Sequence, residues 1–193
     1  LGATQVPVVL SAAVGYKDME EWLEVARGKA EGHIYTRNSN PTIKVFEEKV
    51  RLLEDAEAAT SAASGMGIIS STLFALLASG NRVVSVKDTY GGTSALFNEY
   101  MPKYRIDAVQ CDTADHDQIE AEIAKGCNLL YLETPTNPTT KIIDIARLSK
   151  VAHAQGAVVV VDNTAATPIN QNPLQLGADV VVHSATKFLG GHA

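Results

Sequence analysis

Cysteine is nearly absent from this chain: Cys111 and Cys127 are the only two in 193 residues. They stand apart, without CxxC spacing. That argues against a disulfide framework or a thiolate metal site and reads as buried thiols of a reducing compartment. A cytoplasmic protein is the expectation. Positive charge is also scarce. Sixteen Lys and Arg stand against 22 Asp and Glu, for a net charge of -6. With no basic stripe in the sequence, a nucleic-acid partner is not expected. No apolar run approaches the length of a membrane span, so no membrane partner is expected. The apolar stretch 6–14 lacks a basic segment before it, which argues against a signal peptide. The five histidines, at 33, 116, 153, 183 and 192, lack metal-ligand spacing, and no metal is expected. The chain starts at Leu1 and stops at Ala193 with no closing helix. Both ends read as cut.

What is present is alternation. Hydrophobic residues make up 46% and charged ones 20%, the balance of a soluble domain able to bury a core. Pro41 after Asn40 opens a helix in which Ile43, Phe46, Val50 and Leu53 recur at helical spacing. A small-residue strand is expected near 58–63. A Gly turn and an apolar helix over 68–77 follow, broken by Ser79-Gly80-Asn81. Strands are then expected over 82–86, 105–109 and 129–132, with helices over 93–100, 115–124 and 144–155. The valine runs 158–161 and 180–182 read as buried strands. Strands separated by helices of this length imply crossover connections and a mostly parallel sheet. Residues 1–32 are less regular and read as an arm; 33–193 read as the main domain.

The candidate chemistry lies at the carboxyl ends of these strands, the edge where open α/β sheets bind ligands. Lys187 follows the run 180–182 within His183-Ser184-Ala185-Thr186-Lys187. Taken alone it is one of ten lysines, and a surface position is the ordinary reading. Placed after a buried strand beside two hydroxyls, it reads as a Schiff-base amine, which must be partly desolvated to act as a nucleophile. Ser184 and Thr186 alternate, so both hydroxyls can face one way and grip a phosphate; turn chemistry is the plainer alternative. Asp162 ends the run 158–161. It either caps the turn through Asn163-Thr164 or pairs with a protonated pyridine nitrogen.

Ser64-Gly65-Met66-Gly67 opens a helix where backbone N–H groups can approach a phosphate. It is also a partial match to a dinucleotide fingerprint, with Ser70 where the third glycine belongs. Tyr90, in Tyr90-Gly91-Gly92-Thr93, could stack on a planar ring. The planar donor fork of Arg37, beside Tyr35, suits a phosphate. Asn137 follows the 129–132 strand and reaches the same edge. An amine, a phosphate grip and a carboxylate at one edge are what pyridoxal phosphate requires.

In combination these stretches resemble the cystathionine gamma-synthase / methionine gamma-lyase family of Cys/Met-metabolism PLP-dependent enzymes. The resemblance rests on Tyr35-Thr36-Arg37 with Asn40-Pro41-Thr42, Ser64-Gly65-Met66, Tyr90 to Thr93, and Glu133-Thr134-Pro135 with Asn137-Pro138. It continues through Val161 to Thr164, Pro173-Leu174 with Gly177-Ala178-Asp179, and His183 to Lys187 with Gly190-Gly191-His192. The stretches run in the family's order over nearly the whole chain. The fold implied is α/β: a type I PLP-dependent transferase (aspartate aminotransferase-like) large domain with a mostly parallel seven-stranded sheet, lacking the carboxyl-terminal domain.

The resemblance also assigns roles. Lys187 would hold pyridoxal 5'-phosphate covalently and shuttle protons. Asp162 would pair with the ring nitrogen, and Tyr90 would stack on the ring and help deprotonate the incoming amine. The Gly65 and Met66 amides, Ser184 and Thr186 would bind the phosphate. Tyr35 and Arg37 would reach the phosphate of a neighbouring subunit. Asn137 would lie near the ring hydroxyl. A homodimer or homotetramer with shared sites follows, with the arm 1–32 contributing to the dimer.

The activity implied is elimination or replacement at the γ (or β) carbon of sulfur amino acids or O-acylhomoserine. Cystathionine gamma-synthase, cystathionine gamma-lyase, methionine gamma-lyase and sulfhydrylase outcomes all stay open. Two departures from the family pattern stand out. Ala165-Ala166 replace its usual aromatic, and Gly92 stands where methionine gamma-lyases carry Cys. A carboxyl-terminal Arg that binds the substrate carboxylate in the family is not in the sequence, so these residues are not expected to make a complete site. A nicotinamide-dependent oxidoreductase would use 64–70 but leaves Lys187 and Asp162 unexplained. A non-catalytic binding module is the third reading.

Overall fold

Among the described residues, five apolar runs form one parallel sheet. They are β1 (Arg82–Val86), β2 (Asp107–Cys111), β3 (Leu129–Glu133), β4 (Val158–Asp162) and β5 (Val180–Val182), in the order β2-β1-β3-β4-β5. The computed structural model describes residues 4–191. It divides into two compact units, residues up to Ser61 and residues from Ala62 onward.

The second unit holds the sheet. Its helices are α3 (Gly65–Leu76), α4 (Gly91–Ala95), α5 (His116–Ala124), α6 (Ile145–Ala154) and the short α7 (Thr167–Asn170). Side chains alternate across a strand, and here both faces are covered, as parallel sheets require. Val84, Val86, Leu130, Leu132, Val159 and Val161 pack with Ile119, Ile123, Ile145 and Leu148. Their neighbours Val83, Leu129, Tyr131 and Val160 pack on the opposite face with Ile69, Leu73, Phe97 and Met101. Each fully buried side chain of this size stabilises the unit by about 1.5–3 kcal/mol.

The amino-terminal edge is pinned by Arg82. Its guanidinium bonds Asp107 at 2.9 Å and Glu122 at 2.6 Å, and also reaches the Glu122 and Gly126 carbonyls. β1 lies between β2 and β3. The connection from β1 therefore leaves one way and that from β3 the other. The β1/β3 gap is a topological switch point, where a ligand crevice forms at the carboxyl ends.

Three expectations shift. The stretch 58–63 forms no strand; its small side chains lack the β-branched bulk that packs a pleated surface. The strand expected at 105–109 begins two residues later, because Arg105 adopts a left-handed φ of 58° that closes the preceding turn. The helix expected over 93–100 starts at Gly91. It widens into a π-helical turn over Leu96–Tyr100 and tightens into a 3₁₀ turn over Met101–Tyr104.

The first unit contains α1 (Met19–Ala26) and α2 (Pro41–Glu54). Asn40 caps α2 by accepting the Thr42 N–H at 2.9 Å and donates to the Val9 carbonyl at 3.0 Å. An antiparallel bridge joins Ala13 to Tyr35. The stripe Ile43, Phe46 and Leu53 remains 39%, 42% and 47% exposed.

Candidate active site

The period of two along the strands decides which side chains meet. Leu129 and Tyr131 face the α3 side, so Glu133 does too; Val160 faces it, and so does Asp162. Register pairs Glu133 with Asp162 on adjacent strands. Two carboxyls thus stand side by side at the carboxyl edge, exposed by only 6% and 5%.

Burial pushes the Asp162 carboxyl up from its ordinary value. Bonds from Thr164, the charge of His183 and a bond from Tyr131 oppose that rise. Oδ1 accepts the Thr164 N–H at 3.0 Å, so the sequence's capping alternative is realised. Oδ2 accepts the Tyr131 hydroxyl at 3.3 Å. Tyr131 is itself fully buried, and burial together with the Asp162 charge holds its phenol well above the usual range. Its ring packs edge-on against Phe97 with centroids 5.5 Å apart. A carboxylate kept in such a place favours a cationic partner.

The Thr164 hydroxyl then accepts the Ser184 N–H at 2.8 Å. Ser184 in turn abuts the start of α3: a Cβ on Gly65 would lie 2.7 Å from Ser184 Cβ and 2.8 Å from its Oγ. The approach requires glycine. Ser64 caps α3, its Oγ taking the Gly67 N–H at 3.0 Å. The Gly65 and Met66 N–H groups, at the open end of the helix, have no intrahelical acceptor. Such a terminus attracts anions.

Lys187 closes a turn on Ser184, its N–H donating to the Ser184 carbonyl at 3.0 Å. The turn begins at Ala185, so strand alternation does not extend to Thr186 as the sequence suggested. Lys187 and Thr186 are both exposed, whereas a partly desolvated lysine was expected. The turn lies beyond β5, the last in the order of the five described strands.

The switch-point loops meet at Glu133. The Tyr90 N–H donates to Oε2 at 2.7 Å and the Asn137 N–H to Oε1 at 3.3 Å. Burial raises the Glu133 carboxyl to about 7, with the Asp162 charge adding and the two amides opposing. The Tyr90 ring is 47% exposed. A Cβ on Gly92 would come within 2.8 Å of Met66 Sδ and 2.9 Å of Tyr90 Cε1, so the Tyr90 loop packs on the first turn of α3. Asp88 and Lys141 tie the same two loops at 2.7 Å.

These contacts make a closed circuit: Gly65, Ser184, Thr164, Asp162, Glu133, Tyr90, Gly92, Met66. Asn137 attaches to it through its N–H bond to Glu133 and Lys187 through its N–H bond to the Ser184 carbonyl, with Thr186 in the same turn as Lys187. Tyr35 and Arg37 belong to the first unit, where the Arg37 guanidinium lies 5.3 Å from the Tyr35 ring centre. His192, part of one sequence motif, lies outside the described residues. Sequence reasoning assigned no role to Tyr131 or Glu133, and to Thr164 only a place in the turn that Asp162 caps. A signal existed for Glu133: a charge ending an apolar run, on the same parity as Asp162.

The sequence profile of the Cys/Met metabolism PLP-dependent enzymes matches residues 1–193. The L-methionine gamma-lyase of Fusobacterium nucleatum subsp. nucleatum is 48% identical over 162 residues, covering 83% of this chain and 41% of that protein. Two solved structures share the fold. A Campylobacter jejuni protein assigned as an O-acetylhomoserine (thiol)-lyase carries a pyridoxyl-lysine phosphate. It superposes with a TM-score of 0.88 at 31% identity, over 96% of this chain and 46% of its own. Cystathionine gamma synthase from Xanthomonas oryzae pv. oryzae, in complex with aminoacrylate and cysteine, gives 0.87 at 34% identity, over 96% and 46%. The chain spans about half the length of the curated relatives it matches. With a match along its whole length, it belongs to the Cys/Met metabolism PLP-dependent enzyme family.

Proposed function

We propose that the protein containing this chain carries out PLP-dependent elimination or replacement at the γ (or β) carbon of a sulfur amino acid or O-acylhomoserine. The observation that carries this reading is the buried Asp162 carboxyl. It is joined through Thr164 to the Ser184 turn that holds Lys187 and abuts the open end of α3. A carboxyl raised by burial suits a ring nitrogen that brings a proton. The amides of Gly65 and Met66 with the hydroxyls of Ser184 and Thr186 suit a phosphate. Lys187 suits the aldehyde, so the residues present fit pyridoxal 5'-phosphate.

When bound, the cofactor supplies an electron sink for a carbanion at the substrate α-carbon. The residues do the rest. Asp162 would keep the ring nitrogen protonated. Tyr90, half exposed at the same edge, would face the ring and accept a proton from the incoming amine. Lys187 Nζ would take a proton from the α-carbon, pass it on, and then take one from the β-carbon, which frees the γ-substituent to leave. Addition of a thiol gives a synthase or sulfhydrylase; hydrolysis to a keto acid and ammonia gives a lyase. The 48% identity to a methionine gamma-lyase favours the lyase outcome as a second, narrower reading.

The assembly reading is a homodimer or homotetramer, with the arm 1–32 and residues Tyr35 and Arg37 serving a neighbour's site. The exposed stripe of Ile43, Phe46 and Leu53 on α2 supports it. The full large domain would complete a seven-stranded sheet, in a cytoplasmic enzyme whose free, buried Cys111 and Cys127 suit a reducing compartment. The test is direct. The full-length protein should show a visible absorption band, and borohydride reduction followed by peptide mapping should leave a pyridoxyl label on Lys187. Label on another lysine sinks the assignment. Product analysis with methionine, and with O-acylhomoserine plus a thiol, separates the outcomes.

A further inference from the structure

Glu133 is a buried carboxyl set in register beside a second one, Asp162. Like charges that close are unfavourable. If this position only filled space, an apolar residue would serve at lower cost. What an ionised carboxylate offers that no neutral side chain of its length does is two acceptor oxygens and no donor. Both are used, and for different loops: Oε2 takes the Tyr90 N–H at 2.7 Å and Oε1 the Asn137 N–H at 3.3 Å. Further ties between these loops, from Lys141 and Thr139 to Asp88, touch neither amide.

We propose that Glu133 is a positioning residue whose carboxylate clamps the Tyr90 and Asn137 amides across the β1/β3 switch point and so sets the spacing of the Tyr90 and Asn137 side chains that would meet the cofactor. This rests on the PLP reading above. Glu133 touches neither cofactor nor substrate and acts through Tyr90 and Asn137. A glutamine here would turn an N–H donor against one of the two amides and release one loop.

The experiment is a titration of the cofactor-free full-length protein with pyridoxal 5'-phosphate, followed by visible absorbance. Glu133→Gln is made in the wild type and in a Tyr90→Ala/Asn137→Ala background. In the wild type it should raise the Kd about tenfold or more, as expected for a lost hydrogen bond to a charged group. In the double background the same change should move the Kd less than about threefold, because the residues it positions are gone. Unchanged affinity for Glu133→Gln overturns the proposal. So does an equal loss in both backgrounds, the mark of general loosening. A wild type with no visible band defeats the PLP reading itself, and this inference with it. Should Glu133→Gln fail to fold, Glu133→Asp keeps the charge but not the reach. It should show a smaller loss with the same background dependence, and wild-type affinity for it overturns the clamp.

Discussion

Tyr131 donates its hydroxyl to Asp162 Oδ2 over 3.3 Å while its own ring is fully buried. The bond favours the charged carboxylate, so removing it should push Asp162 further up. Tyr131→Phe keeps the edge-on packing against Phe97 and deletes only the donor. Cofactor affinity in the full-length protein should fall by about two- to tenfold, the worth of one modest hydrogen bond. Asp162→Ala should be far worse, because breaking a buried ion pair on one side costs about 3–5 kcal/mol. Cofactor titration by visible absorbance checks both. Wild-type affinity for Asp162→Ala refutes the ion pair.

Glu133 carries a pH signature in the cofactor-free protein. Its carboxyl stands at about 7 in the fold against about 4.3 when unfolded. The native state therefore binds more protons in that window, and stability falls as pH rises from about 4.3 to about 7. The integrated effect is on the order of 3 kcal/mol. Asp162 is raised as well and acts in the same direction. Urea unfolding at pH 5 and pH 8 should give the larger free energy at pH 5, and Glu133→Gln should flatten the difference. A slope unchanged by the substitution refutes the assignment.

Gly65→Ala probes the cradle. The new Cβ would meet Ser184 Cβ at 2.7 Å and its Cα at 3.1 Å, neither of them the end of a flexible chain. The backbone must shift, at a cost of about 1–3 kcal/mol. Inorganic phosphate should then protect the protein less against thermal unfolding than it protects the wild type. Equal protection would mean that the Gly65–Ser184 approach does not shape an anion site.

Much of this was legible from apolar periodicity. β1 is Arg82–Val86, as expected after the Ser79-Gly80-Asn81 break, and α2 begins at Pro41 behind Asn40. Buried strands and capped helices announce themselves because burial and orphan amides are local demands. Backbone exceptions do not: nothing in Arg105 advertises a left-handed φ of 58°. The helix α1 was missed although Asp18 caps it and Glu20 and Glu21 fill its first turn; no buried residue backs the pattern. In the site, Asp162 was legible because it ends a valine run, and Lys187 because it follows one within His183-Ser184-Ala185-Thr186-Lys187. Glu133 ends the apolar run Leu129 to Leu132, but its partners are backbone N–H groups, and those come from folding rather than from residue type.

The sharing of sites between subunits can be tested by mixing. Tyr35 and Arg37 lie in the first unit, just ahead of α2. An Arg–phosphate contact is worth roughly 1.5–3 kcal/mol, so Arg37→Ala should weaken cofactor binding by about one to two decades. At limiting cofactor, full-length Arg37→Ala and full-length Lys187→Ala should each be silent. If Arg37 serves the neighbour's phosphate, a heterodimer of the two has one site with both defects and one with neither. Activity should return on mixing, towards half of the wild-type value per heterodimer. A tagged pull-down shows whether subunits exchange. Exchange without recovered activity would mean that each site is built within one subunit and that Arg37 serves its own or none.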